Sequence, residues 1–251
     1  MGLFDSHAHY DDPRFAGDLA ELVARMQEKT EICPCGVEYV VNIGCDIPTS
    51  RLCLDLAEQY PFFYAAVGIH PQDAHTFDEG SIPALKEMLR HPKAVAIGEI
   101  GLDYKYENAP RQVQKDVFSR LMDLAGETGY PVCIHDRDAH GDVFDIVRAN
   151  KDVRGVMHSF SSSPEMAKQY VKMGWYISFS GTVTFKNISE QALNISAEQL
   201  MERFVRGDES RSTEGNGLGL SIAKSLCELQ NGELEISISG DLFTAKVRMK
   251  K

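Results

Sequence analysis

The sequence predicts an α/β fold: a parallel (β/α)8 barrel that lacks its eighth strand, followed by a small α+β segment. Short apolar runs alternate with amphipathic helical stretches from Leu3 to Ser180. Polar side chains gather where those runs end. After Phe185 the alternation stops and a glycine-rich stretch appears. Regular strand and helix alternation predicts a parallel sheet with crossover helices, and a barrel is its natural closure.

Seven apolar runs are the predicted strands of this barrel. Amphipathic stretches such as "AGDLAELVARMQEK" and "QVQKDVFSRLMDLAGETG" lie between them and are predicted to be helices. The runs are "LFDSHAHY", "YVVNIG", "FYAAVGIHP", "AVAIGEIGLD", "PVCIHDRD", "RGVMHSF" and "WYISFSG".

Composition places the chain among ordinary globular proteins. Of its 251 residues 43% are hydrophobic and 25% are charged, and no apolar run approaches the roughly 18 residues that a membrane span needs. We therefore expect no membrane association. The start "MGLFDSHAHYDD" has no basic region followed by an apolar stretch, so the cytoplasm is the expected location. The six cysteines show no C-x2-C pair and are interpreted as reduced thiols.

The net charge limits how the chain can meet nucleic acid. A formal charge of −11 argues against sequence-independent capture of duplex DNA, which depends on Lys and Arg replacing counterions. Any chemistry on nucleic acid then needs a local source of positive charge. Bound metal ions would supply one.

Five residues at the predicted strand ends suit a metal centre. His7 and His9 are two apart on a strand, so both side chains point to one face, and paired imidazoles suit a transition metal. Glu99, His135 and His158 end the fourth, fifth and sixth strands. Because barrel enzymes build their sites at the C-terminal ends of the strands, all five are expected to converge on one mouth.

A carboxylate among imidazoles can bridge two divalent ions, an arrangement that serves phosphoryl displacement. Hydrolysis of a phosphate ester is therefore the leading chemistry. His70, in "GIHP", is either a residue lining the site or a turn former. His75, His91 and His140 fall in loops or at helix ends and are interpreted as structural.

These motifs resemble those of a known family. "FDSHAHYDD", "GIHP", "GEIGLDY", "IHDRDA", "HSFSS" and "ISFSGTVTFKN" stand in the order and spacing of the TatD family of metal-dependent deoxyribonucleases. The resemblance covers residues 1 to about 187. It implies a TIM barrel, a site for divalent ions of the Mg, Mn or Zn type, and phosphodiester cleavage at DNA ends.

The resemblance also assigns site residues. His7, His9, Glu99, His135 and His158 match the family's metal-ligand positions, and we also expect Glu99 to be catalytic. In the family an eighth strand ends in "ETD", whose aspartate positions or deprotonates the attacking water. No such strand follows Asn187. Activity of this chain is therefore in doubt at the sequence level.

The remainder of the chain resembles a different family. "ERFVRGDESRSTEGNGLGLSIAKSL" followed by "GDLF" is similar to the C-terminal part of a sensor histidine kinase ATP-binding domain. Gly215, Gly217 and Gly219 precede a predicted helix and are either a nucleotide-binding loop or a mobile surface loop. The magnesium-binding asparagine helix would lie upstream of Phe185, where the chain has barrel sequence. A usable ATP site is therefore not expected.

We predict two domains, residues 1–187 and 188–251, joined near "FKN", a stretch that both resemblances share. Three hypotheses remain open. The chain is a TatD-like nuclease acting on DNA or nucleotides, or an ATP-binding fragment of a histidine kinase, or a chimera with no function of its own.

Overall fold

The computed structural model describes residues 3–29, 36–178, 182–188, 196–200, 232–239 and 242–248, together with 220, 224, 227 and 228. The chain divides into two compact units, Met1–Ser178 and Phe179–Lys251. The predicted domain boundary at residue 187 stays a prediction.

The first unit is the incomplete parallel barrel that the sequence predicts. Its sheet has seven strands, and every neighbouring pair is parallel and consecutive in the chain. The strands are β1 (Leu3–Ala8), β2 (Val37–Ile43), β3 (Phe63–Val67), β4 (Ala94–Asp103), β5 (Val132–Arg137), β6 (Gly155–Met157) and β7 (Tyr176–Ile177).

Helices fill the connections between these strands. Two 3-10 helices, Pro13–Phe15 and Pro71–Thr76, accompany them. Local sequence sets several helix ends: Asp46 and Thr49 form a capping box, and Gly129 ends a helix in the left-handed conformation. The α-helices of this unit are α1 (Leu19–Met26), α2 (Ile47–Gln59), α3 (Ser81–Met88), α4 (Arg111–Thr128), α5 (His140–Ala149) and α6 (Pro164–Lys172).

The core lies around the middle of the sheet. β4 is buried over its last seven residues, and α4 packs seven buried side chains. At the edge, β1 keeps Leu3 and Phe4 exposed by 57% and 61%. β1 and β7 are the edge strands of the sheet within the described residues.

Strand ends differ from the prediction in three places that matter for the site. Glu99 and His135 lie inside their strands and do not end them, because β4 continues for four residues to Asp103 and β5 for two residues to Arg137. The seventh strand, expected over "WYISFSG", is described only as Tyr176–Ile177. His9 directly follows the last residue of β1, and His158 directly follows the last residue of β6.

The second unit contains a small antiparallel sheet. Its strands β8 (Thr182–Ile188), β9 (Glu233–Ser239) and β10 (Leu242–Arg248) lie in the order β8-β10-β9. β9 and β10 pair in antiparallel orientation along their whole described length. A short helix, α7 (Ala197–Leu200), follows Ser196. Ser196 Oγ accepts a hydrogen bond from Gln199 N at 3.2 Å, a contact typical of an N-cap. Gly215, Gly217 and Gly219 lie outside the described residues.

None of the helices in the described ranges has the length and apolar character needed to cross a bilayer.

Candidate metal centre

Glu99 lies at the middle of the site. Its side chain is buried, and each carboxylate oxygen faces a different histidine: Oε2 lies 3.3 Å from His7 Nε2, and Oε1 lies 3.0 Å from His135 Nδ1. Burial opposes ionisation of Glu99, but the hydrogen bonds from His135 and His7 outweigh it and hold the pKa well below its usual range. Glu99 is thus an ionised carboxylate between two imidazoles.

His7 and His9 enter from the end of β1. Their Nε2 atoms lie 3.2 Å apart, and His9 Nδ1 donates to the Ile43 carbonyl at 3.0 Å. A carbonyl only accepts hydrogen bonds, so His9 Nδ1 carries the proton and Nε2 presents its lone pair to the site. Burial, followed by the neighbouring His7, lowers the pKa of His9 and favours this neutral form.

His135 lies between two carboxylates. Its Nδ1 faces Glu99, and its Nε2 lies 3.1 Å from Asp103 Oδ2. Burial alone would lower the pKa of His135, but Glu99 and Asp103 together raise it. Each ring nitrogen of His135 therefore faces a carboxylate oxygen that accepts hydrogen bonds. A metal bound at one of these nitrogens would take the place of a proton there.

His158 and His70 complete the cluster. The His158 ring stacks on His7, with centroids 3.4 Å apart and planes at 12°. The His70 ring lies edge-on to His135 at 4.4 Å. Burial is the main cause that lowers the pKa of both His158 and His70 to about 4.

His70 has both of the roles that the sequence left open: it caps a turn and it lines the site. Its Nδ1 accepts a hydrogen bond from Gln72 N at 3.2 Å and so caps the 3-10 helix Pro71–Thr76. Its ring also lines the site beside Glu99 and His135.

Sequence reasoning missed two residues of the cluster. Asp103 is fully buried and faces His135, and Cys133 Sγ lies 3.4 Å from His7 Nδ1. Strand alternation is the signal that identifies both: Asp103 follows Glu99 by four residues on β4, and Cys133 precedes His135 by two on β5.

Gly101 allows β4 and β5 to approach closely at this point. It is paired with His135 in the sheet, and its φ is +142°. A Cβ at this position would lie 2.0 Å from the His135 carbonyl oxygen. Only glycine fits at position 101, midway between Glu99 and Asp103, without moving the strand that carries His135.

The donor atoms fit a divalent metal. Three overlapping groups of residues bring together nitrogen, sulfur or carboxylate oxygen atoms. Within each group these atoms lie within 4.8 Å of one another. Imidazole and carboxylate are ligands for Zn²⁺ and Mn²⁺ alike. The groups are His7, Cys133 and His158; His7, His9 and Glu99; and His70, Glu99 and His135. All five residues predicted from the sequence fall in this cluster, and their role as ligands stays a prediction.

Parallel barrel strands bring five histidines around a buried glutamate, and the proteins that this chain resembles are metal-dependent hydrolases. Residues 4–205 match the family described as TatD related DNase. The chain belongs to that family.

Individual relatives agree with this assignment. The uncharacterized metal-dependent hydrolase YabD of Bacillus subtilis (strain 168) is 42% identical over 187 residues, which cover 74% of this chain and 71% of YabD. The 3'-5' ssDNA/RNA exonuclease TatD of Edwardsiella piscicida is 30% identical over 72% of this chain and 68% of its own. The solved structure of YJJV, a TatD homologue of Escherichia coli K12, superimposes with a TM-score of 0.63 at 29% identity, covering 70% of this chain and 66% of YJJV.

A second family also matches. Residues 163–251 match the histidine kinase-, DNA gyrase B- and HSP90-like ATPases. This match overlaps the TatD match between residues 163 and 205 and includes the shared "FKN" stretch.

Proposed function

We propose that the chain hydrolyses phosphodiester bonds of DNA, with two divalent ions held by His7, His9, Glu99, His135 and His158. The observation that carries the proposal is the carboxylate of Glu99, whose two oxygens each face a different histidine. A carboxylate placed in this way can bridge two ions. Two ions about 3.5–4 Å apart stabilise the attacking and leaving oxygens of an in-line phosphoryl displacement.

The surrounding residues orient the proposed histidine ligands and keep Glu99 ionised. His9 is oriented by the Ile43 carbonyl, and Glu99 is kept ionised by its histidine neighbours. Asp103 faces the second nitrogen of His135 and fixes the direction of that ring. Relatives named as nucleases support DNA as the substrate class.

We expect hydrolysis to be slow. The family resemblance places an aspartate at the end of an eighth strand, and no "ETD" motif follows Asn187 in this chain. The five proposed ligands would bind metal without supplying a group to activate the attacking water. Removal of a general base typically costs about 10²–10⁴-fold in rate.

The test combines metal content with cleavage of labelled single-stranded DNA, after the protein is loaded with Mn²⁺ or Zn²⁺. His7→Ala and Glu99→Ala should each reduce the bound metal and abolish metal-dependent release of nucleotides. His91→Ala is the matched control, because His91 pairs with Glu58 at 3.0 Å and lies outside the cluster. Unchanged metal content and cleavage in both site variants would reject the proposal.

The ATPase-like match supports a second candidate, a nucleotide-binding segment at Gly215, Gly217 and Gly219. Protection of amides near Gly217 from hydrogen exchange at millimolar ATP would favour it. Identical exchange with and without ATP would rule it out. The third hypothesis, a chimera without function, requires that both the metal and the ATP experiments fail. The cytoplasmic location stays a prediction from the sequence.

A further inference from the structure

The segment after β4 carries an exposed tyrosine flanked by two cations. The Tyr106 side chain is 50% exposed. The Arg137 guanidinium carbon lies 5.4 Å from the ring centroid, and Lys105 Nζ lies 5.9 Å from it. We refer to Tyr106, Lys105 and Arg137 as the aromatic-basic platform.

Within the part of the chain that the structure describes, the two cations of the platform pair with no carboxylate. Across the described ranges no carboxylate oxygen lies within 4.0 Å of Lys105 Nζ or of the Arg137 guanidinium. By contrast, Arg111, at the start of the next helix, pairs with Glu107 at 2.5 Å. Lys105 and Arg137 therefore remain available to an external anion, in a chain whose net charge is −11.

The platform is tied to the metal centre by one side chain. Asp103 Oδ1 accepts hydrogen bonds from Lys105 N at 3.0 Å and Tyr106 N at 2.9 Å. The other oxygen of Asp103 faces His135. Arg137 follows His135 by two residues on β5, so both side chains leave the same face of the strand.

We propose that the aromatic-basic platform binds the single strand of DNA whose phosphodiester reaches the metal centre. This inference rests on the proposed function, because it assigns the strand-holding surface of that same site. Tyr106 stacks on one base, and Lys105 and Arg137 contact the phosphates that flank it. An aromatic ring beside cations is the combination that binds single strands without sequence preference.

The chemistry favours a single strand over a duplex. In a duplex each base face is covered by its neighbours, whereas an unpaired base can leave the stack and meet an aromatic ring. Two cations are also too few for strong capture of a duplex, which depends on many phosphate contacts. A platform of this size holds one or two nucleotides.

The test is direct binding, measured in EDTA so that cleavage does not interfere. Fluorescence anisotropy would follow a labelled oligodeoxythymidylate and an abasic oligonucleotide of the same length. Tyr106→Ala should weaken binding of the thymidylate by about 5- to 150-fold, the range of one lost base stack. Its effect on the abasic strand should be much smaller. Tyr106→Phe, which keeps the ring, should retain the binding.

The cations are tested separately by salt dependence. Arg137→Ala should weaken both oligonucleotides and reduce the slope of log K against log salt by about 0.7, the value for one lost contact with a single strand. Tyr39→Ala and Arg51→Ala are matched controls, since Tyr39 is 49% exposed and Arg51 is an exposed arginine on α2. Both should bind like the unchanged protein.

The outcomes separate this inference from the proposed function. Tyr106-dependent, base-dependent binding without any metal-dependent cleavage would support the platform and reject the nuclease proposal. Cleavage that depends on His7, combined with equal binding by Tyr106→Ala and the unchanged protein, would reject the platform alone. Absence of measurable binding to either oligonucleotide would also overturn the platform.

Discussion

At the scale of single residues, Gly101 is a position of the site where a side chain has no room. Gly101→Ala would place a methyl group against the His135 carbonyl and force an alanine into a positive φ. Crowding and backbone strain should together reduce the free energy of unfolding by at least about 2 kcal/mol. Denaturant unfolding followed by circular dichroism would measure this loss.

Gly141→Ala is the control for that variant. Gly141 lies in α5, and a Cβ there meets no atom within 4 Å. Replacement of a helical glycine by alanine should leave the stability unchanged or raise it by up to about 1 kcal/mol. Equal unfolding midpoints for the two variants would show that β4 and β5 are not closely apposed at Gly101.

Residue types explain how far the site could be predicted. Histidines stand out because the chain has only eight and several follow apolar runs, so the sequence predicts that His7, His9, His135 and His158 converge. Asp103 does not stand out in the sequence because the chain has 37 acidic residues and because Asp103 lies four residues beyond Glu99 on the same strand. Cys133 was missed because an isolated cysteine in an apolar strand has the appearance of a core residue.

At the scale of elements, α4 holds the segment that follows β4 through one buried amide. Gln114 Oε1 accepts from Asp103 N at 2.8 Å, and its Nε2 donates to the carbonyls of Asp103 and Ala109 at 3.0 and 2.9 Å. Gln114→Ala leaves these buried backbone groups without partners. The free energy of unfolding should fall by about 2–4 kcal/mol.

Gln112→Ala is the matched variant on the same helix. Gln112 is exposed and its Nε2 donates to Asp116 at 2.8 Å, so its loss should change stability by less than about 0.5 kcal/mol. Thermal or denaturant unfolding of both variants makes the comparison. Similar losses for the two glutamines would contradict the buried role of Gln114.

The elements themselves were largely predictable. Alternating runs gave seven parallel strands in chain order, and the bounds of β4 agree with "AVAIGEIGLD". The extents of β6 and β7 were not predictable, because three- and two-residue strands are set by pairing with their neighbours rather than by a local pattern.

At the scale of the whole molecule, the described barrel sheet has two edges. Unpaired strand edges are templates for pairing with another copy, and Leu3 adds an exposed apolar side chain to one of them. We expect the protein to self-associate as its concentration rises. Leu3→Lys should shift this association to higher concentration, because a charge on an edge strand opposes edge-to-edge pairing.

Light scattering across a concentration series would measure the shift. Val113→Lys is the control, since Val113 is an exposed apolar residue on α4 and the substitution adds the same charge away from any strand edge. An equal shift in both variants would attribute the effect to net charge. In that case the edge of β1 would not be the contact.

The two carboxylate oxygens of Asp103 contact different parts of the site, and this limits where the connection after β4 can change in length. One oxygen fixes the amides of Lys105 and Tyr106, while the other fixes His135. A residue inserted between Asp103 and Tyr106 would break this arrangement and disturb the orientation of the histidine as well. Insertions and deletions in this connection are therefore tolerable only beyond Tyr106, where residues 107 and 108 are exposed before α4 begins.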